Sequence, residues 1–187
     1  MEKISNWENV KASEGFTALP AGGYVMKVVG VKVTTSAKGK EMMVLALDVA
    51  EGDYKDYFRS QWEFRKKYNA EAKFPCNYYM LTGRDDDAQL SRFKGVINNF
   101  CKDNNIEWNW DEQILKGKLI GGIIGEEEYI TNAGDVRTSL KVVNLRSKEN
   151  IEKAPAPALK KLANSGAPAM DIGYGVPSVP TSDDIPF

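Results

Sequence analysis

The densest mixture of aromatic and cationic side chains in this sequence is the run Tyr57-Phe58-Arg59-Ser60-Gln61-Trp62-Glu63-Phe64-Arg65-Lys66-Lys67-Tyr68. Rings of this kind are platforms on which unpaired bases stack, each stacked base contributing about 1–3 kcal/mol, while the cations follow a phosphate backbone. Read as a strand from Tyr57 to Phe64, the run places Phe58, Trp62 and Phe64 on one face with Ser60, and Tyr57, Arg59, Gln61 and Glu63 on the other. One set then belongs to a core and the other to a surface. Trp62 and Phe64 suit either place, because large aromatics fill cores and line grooves alike. Arg65, Lys66 and Lys67, closed by Tyr68, read as phosphate contacts or as a solvated charge run. Lys38 and Lys40 on one turn, and Arg137 after another, are further candidate cations or ordinary exposed loop residues. Trp108 and Trp110 pack the end of a helix or cap a groove edge.

Other chemistry is harder to build. The chain has no histidine, so it lacks the commonest general base and triads are excluded. Cys76 and Cys101 are isolated, without the spacing of a zinc site, and read as reduced thiols of a cytoplasmic protein. Gly117-Lys118 is followed by Leu119 and has no glycine-rich lead, so it is not a nucleotide-hydrolysing loop. Asp85-Asp86-Asp87 reads as the start of a helix, where carboxylates meet free N–H groups. Glu126-Glu127-Glu128 alternates faces of a strand and so does not gather three ligands. No catalysis, cofactor or metal is expected, and no apolar run approaches the roughly 20 residues that cross a bilayer.

The net charge of −1 gives no long-range field. Beyond Ile151 three lysines stand against four acids, and the rest of the chain is balanced, so any anion-binding surface is a local patch.

The elements that must position these residues read as follows. Val25, Val28, Val29, Val31 and Val33 mark a strand over 24–35, bent or bulged at Gly30. After the turn Ser36–Lys40, a second strand carries Met43, Leu45, Leu47 and Val49, buried mostly on one face and closed by Glu51-Gly52-Asp53. The third is Tyr57–Phe64, followed by a long loop. Leu90, Phe93, Ile97 and Phe100 predict a helix over about 85–103. Two strands, 115–129 and 136–145, flank the turn Asn132-Ala133-Gly134-Asp135. Glycines 117, 121, 122 and 125 suit a strand bent round a small barrel.

This is the order of an OB-fold: a mainly β, five-stranded Greek-key barrel with one helix between strands 3 and 4. Its groove uses strands 2 and 3 with the loops joining strands 1–2 and 4–5. The turns holding Lys38, Lys40 and Arg137 fall on those loops. A folded domain over 1–147 is expected, then a disordered tail over 148–187 too poor in large apolar groups to offset its ordering entropy. The tail ends in Asp183-Asp184-Ile185-Pro186-Phe187. Two apolar anchors, a stiff proline and several carboxylates at a free terminus make a compact ligand for a pocket rimmed with cations.

Here the chain resembles a known family. The Asp-Asp-Ile-Pro-Phe end is similar to the acidic tip of bacterial and phage single-stranded-DNA-binding proteins. The segments Phe16–Tyr24, Gly39–Met42 and Glu51–Tyr54 resemble a phage branch of them. The resemblance implies sequence-tolerant protection of single-stranded DNA in replication, recombination and repair, with partner enzymes recruited by Asp183–Phe187 and a possible homo-oligomer. The long N-terminal lead-in departs from the bacterial pattern and puts its tetramer in doubt. Rival readings are an OB-fold adaptor that touches no DNA, a strand-annealing recombination protein and a carboxylate-dependent nuclease.

Overall fold

A computed structural model describes residues 5, 7–9 and 17–162. The tip Asp183–Phe187 lies outside the described residues.

Five strands form one antiparallel sheet in the order β3-β2-β1-β4-β5. Strand β1 (Gly22–Thr35) occupies the middle, between β2 (Glu41–Val49) and β4 (Leu119–Ile130). Its register with β2 shifts between Val28 and Gly30. That leaves Val29 as the extra residue of a bulge, one position before the glycine where sequence suggested it. The β1–β2 turn closes with Ser36 and Lys40 bonded backbone to backbone, and Gly39 takes a φ of 76° that few other residues accept. On the outer edges, β3 (Asn77–Leu81) pairs with β2 and β5 (Val136–Arg146) pairs with β4. Backbone of β3 and β5 approaches, but no ladder joins them among the described residues. The sheet is therefore open.

Helix α2 (Asp87–Asn104) stands where its periodicity predicts, and Asp86 caps it by accepting from the Ala88 and Gln89 amides. Phe93, Ile97 and Phe100 enter the core with Met26, Val28, Leu45, Leu47, Ile120 and Ile124. At its far end the Asn104 side chain bonds both the N–H and the C=O of Leu119, fixing the helix to the start of β4.

Two expectations are corrected. Residues Tyr57–Lys66 form a helix, α1, and not a strand. Phe58 and Trp62 stand four apart, which suits one helical face as well as one strand face. The decision is made from β2: the buried Asp48 carboxylate accepts from the Phe58 and Arg59 amides, supplying the N-terminal cap that Asp56 does not. The third strand lies further on, at β3, inside the expected loop. Strand β2 is consequently buried on both faces, with α1 packed against it.

The second correction concerns the boundary at 147. Asp103 accepts from the Ser147 hydroxyl and the Lys148 amide, both at 2.6 Å, and Ile151 is buried. Further on, Lys160 bridges in parallel to Glu127 of β4. The chain thus stays on the body through at least Leu162. Glycines of β4 serve this close approach: a Cβ on Gly121 would meet the Ser147 carbonyl oxygen at 2.5 Å. Among the described residues no helix is long and apolar enough to cross a membrane.

Candidate nucleic-acid interface

Cross-strand partners share a face of a sheet. On β1, β2 and β3 the register aligns Lys32, Val44 and Tyr79 in one row and Thr34, Met42 and Leu81 in the next. These rows face away from the core, because their neighbours Val31, Leu45, Tyr78 and Met80 pack inward. Val44 is fully buried at the centre, flanked by a half-buried cation and a half-buried ring. Burial pushes the Tyr79 phenol up. Burial and the nearby Lys73 ammonium hold Lys32 below the ordinary lysine range. A half-buried cation of β1 with a second cation near it, set beside a half-buried ring of β3, brings together the two kinds of group that a single strand uses, charge for phosphate and a flat face for a base.

The hairpin turn with Lys38 and Lys40, both exposed, borders one end of this face. Arg84 lies beside it, paired to Glu41 at 2.9 Å. The loop after α1 supplies Lys73. Lys32, Lys73 and Tyr79 were missed in the sequence. Their signal was the alternation Tyr78/Met80 against Tyr79/Leu81 within a stretch read as loop.

The other expected residues divide. Tyr57 is held in packing: its hydroxyl accepts from the Leu19 amide at 3.3 Å and its ring meets Tyr54 and Phe58 edge to face. Trp62 also belongs to the packed side. Its Nε1 donates to the Ala72 carbonyl at 2.7 Å, its ring meets Phe74, and the Lys66 ammonium sits 4.3 Å from its centre. The helix thereby separates Trp62 from Phe64, which a strand would have kept together. Phe64 and Tyr68 are exposed and lie against each other at 5.4 Å, next to the exposed Arg65 and Lys67. Arg59 pairs with Glu63 along the helix, and Arg137 with Asp135 at the β4–β5 turn, both on the surface, where such pairs contribute little. Trp108 packs against Phe93 at the helix end, and Trp110 is exposed beside it. Among the described residues no cluster of His, Cys, Asp or Glu is arranged to hold a metal ion.

Replacing Trp62 with alanine is expected to lower stability by about 2–3 kcal/mol, since it leaves a gap beside Phe74 and an unpaired Ala72 carbonyl. Chemical denaturation checks this. Unchanged stability would show that the ring is not a structural strut.

The architecture and this face define a small antiparallel β protein with a mixed cationic and aromatic outer surface. Residues 5–58 of the chain match a family described as Protein of unknown function (DUF669). The matched span ends at Phe58, so it covers β1, β2 and the first residues of α1. No curated protein matches the chain.

Proposed function

We propose that this chain is a non-catalytic, sequence-tolerant binder of single-stranded DNA that acts in replication and recombination and recruits partner enzymes through Asp183–Phe187. The observation that carries the reading is the outward row Lys32–Val44–Tyr79 with Lys73 beside it. It sets a half-buried ring of β3 and a half-buried cation of β1 on either side of the buried Val44, with Lys73 of the loop before β3 as a second cation. The strand order supports an OB-type barrel opened between β3 and β5, whose binding groove runs over strands 2 and 3. In this reading the strand crosses from the Lys38/Lys40 turn over Tyr79 towards Lys73 and the exposed end of α1, where Phe64, Arg65, Lys67 and Tyr68 extend the track. The resemblance of the front segments and of the tip to phage and bacterial single-stranded-DNA-binding proteins supports the same function.

Titration with oligo-dT, followed by tryptophan fluorescence, tests the reading. If three to five phosphates are neutralised, log K against log salt slopes at roughly −2 to −3.5. A slope near zero, or no binding at all, leaves the adaptor reading in its place.

Removing Asp183–Phe187 is expected to abolish recruitment of partners while DNA affinity stays level or rises a few-fold at low salt. The tip's carboxylates compete with phosphate for the same cations at a concentration set by the tether. Changing Phe187 alone to alanine removes an apolar anchor and keeps every charge. Pull-down and titration on that variant therefore separate the two roles. Retention of all partners would contradict a recruiting tip.

A further inference from the structure

The β1–β4 ladder ends at Ile124, which leaves the distal half of β4 with an edge that β1 does not reach. The chain's own segment 157–162 occupies part of it, through a single parallel bridge at Lys160. Lys160 N–H donates to the Glu126 carbonyl and the Glu128 N–H donates to the Lys160 carbonyl, each at 2.9 Å. The Leu162 amide donates to the Glu128 carboxylate, and the Lys160 ammonium lies 2.6 Å from the Glu127 carboxylate, which Lys141 of β5 shares. Pro157 sits over Gly125, where a Cβ would lie 3.2 Å from its ring. The segment hangs from Ala154-Pro155-Ala156-Pro157, a connector that prolines keep extended.

We propose that this edge is an exchangeable strand-acceptor site, and that its second occupant is segment 157–162 of another copy of the chain. The acceptor is matched to a sequence that every copy carries, so exchange preserves each backbone bond, the Glu127–Lys160 pair and the Gly125–Pro157 contact. A reciprocal pair closes with two-fold symmetry. In dilute solution the tethered segment competes at an effective concentration in the millimolar range and the closed form wins. Copies held side by side on one DNA strand meet at comparable concentrations and trade segments, which links neighbours. That last step rests on the function proposed above; the acceptor site itself does not.

The test uses two full-length variants, Glu127→Lys and Lys160→Glu. Each alone places like charges across the bridge in its own fold. Mixed, they form opposite pairs at both bridges only by reciprocal exchange. With the two variants carrying different fluorophores, energy transfer is expected at a concentration at least tenfold below that needed by either variant labelled against itself. Equal association in mixed and unmixed samples overturns the proposal, and needs no DNA to do so. A second arm uses Glu127→Cys with Lys160→Cys in a Cys101→Ser background. Oxidation gives an internal crosslink in dilute protein, and crosslinked dimers on long poly-dT but not on a one-site oligomer. Only internal crosslinks on poly-dT that is demonstrably coated would overturn exchange between neighbours. Failure to coat poly-dT would instead count against the DNA-binding reading, with the charge-swap arm still deciding the acceptor site.

Discussion

Replacing Asp48 with alanine is expected to lower the stability of the fold by about 3 kcal/mol, because it leaves three backbone amides without their acceptor in a site shielded from water. Asp48 is 1% exposed, and its carboxylate takes hydrogen bonds from the amides of Val49, Phe58 and Arg59. It is the clasp between β2 and α1. Burial pushes its pKa up, and the three amides restrain the rise. The sign follows: a carboxyl whose folded value is raised contributes stability that is complete below its unfolded value, about 3.9, and is lost as pH rises through the folded value. An Asp48→Asn variant carries no such titration, so its deficit against the parent is largest in acid and shrinks as pH rises across that window. Paired denaturation curves at acid and neutral pH read the difference. A deficit that grows with pH would mean that the amides outweigh desolvation.

The second large effect is on binding. Changing Tyr79 to alanine is expected to weaken oligo-dT binding by about five- to a hundredfold, the range of one stacked base, with the fold intact because the ring faces outward. Adding Lys32→Ser should flatten the salt dependence by roughly 0.7, as expected when one phosphate contact on a single strand is lost. Circular dichroism confirms folding, and fluorescence titration reads affinity. Parent-like affinity in the double variant would move the DNA track off this face.

Much of the fold was legible because most elements announce themselves locally. The valines of β1, the glycine turn after it and Phe93, Ile97 and Phe100 of the α2 stripe agree with the structure, while Leu90 of that stripe is exposed. The failures share a physical cause. The cap of α1 comes from Asp48, ten residues before Phe58, while Asp56, the residue of capping type next to the helix, makes no side-chain cap, so the helix start is set from a distance. The aromatic run Tyr57–Phe64 then passes for a strand, and the true third strand disappears into the loop behind it. The candidate site shifted for the same reason. Lys32, Val44 and Tyr79 are neighbours only through register across three strands, and a sequence read without β3 has no way to align them. The packed stretch 148–162 was hidden too, because its alanines and prolines resemble linker while its contacts are backbone bonds, the ion pairs of Glu149 and Lys160, and the burial of Ile151.

The position of β1 between β2 and β4 bears on the order in which the chain is made. Its pairing with β2 needs only the next two dozen residues, whereas Gly22–Lys27 pairs with Leu119–Ile124. At a synthesis rate of roughly 5–20 residues per second, that edge waits on the order of 5–20 s for its partner to leave the ribosome. The β1–β2 ribbon, clasped to α1 through Asp48, can assemble in the meantime, but half of its central strand remains an open template for any passing nascent chain. Crowded translation is therefore the stage at which this protein is most exposed to mispairing. Variants that slow elongation between residues 30 and 119 should lower soluble yield without altering the stability of the finished protein.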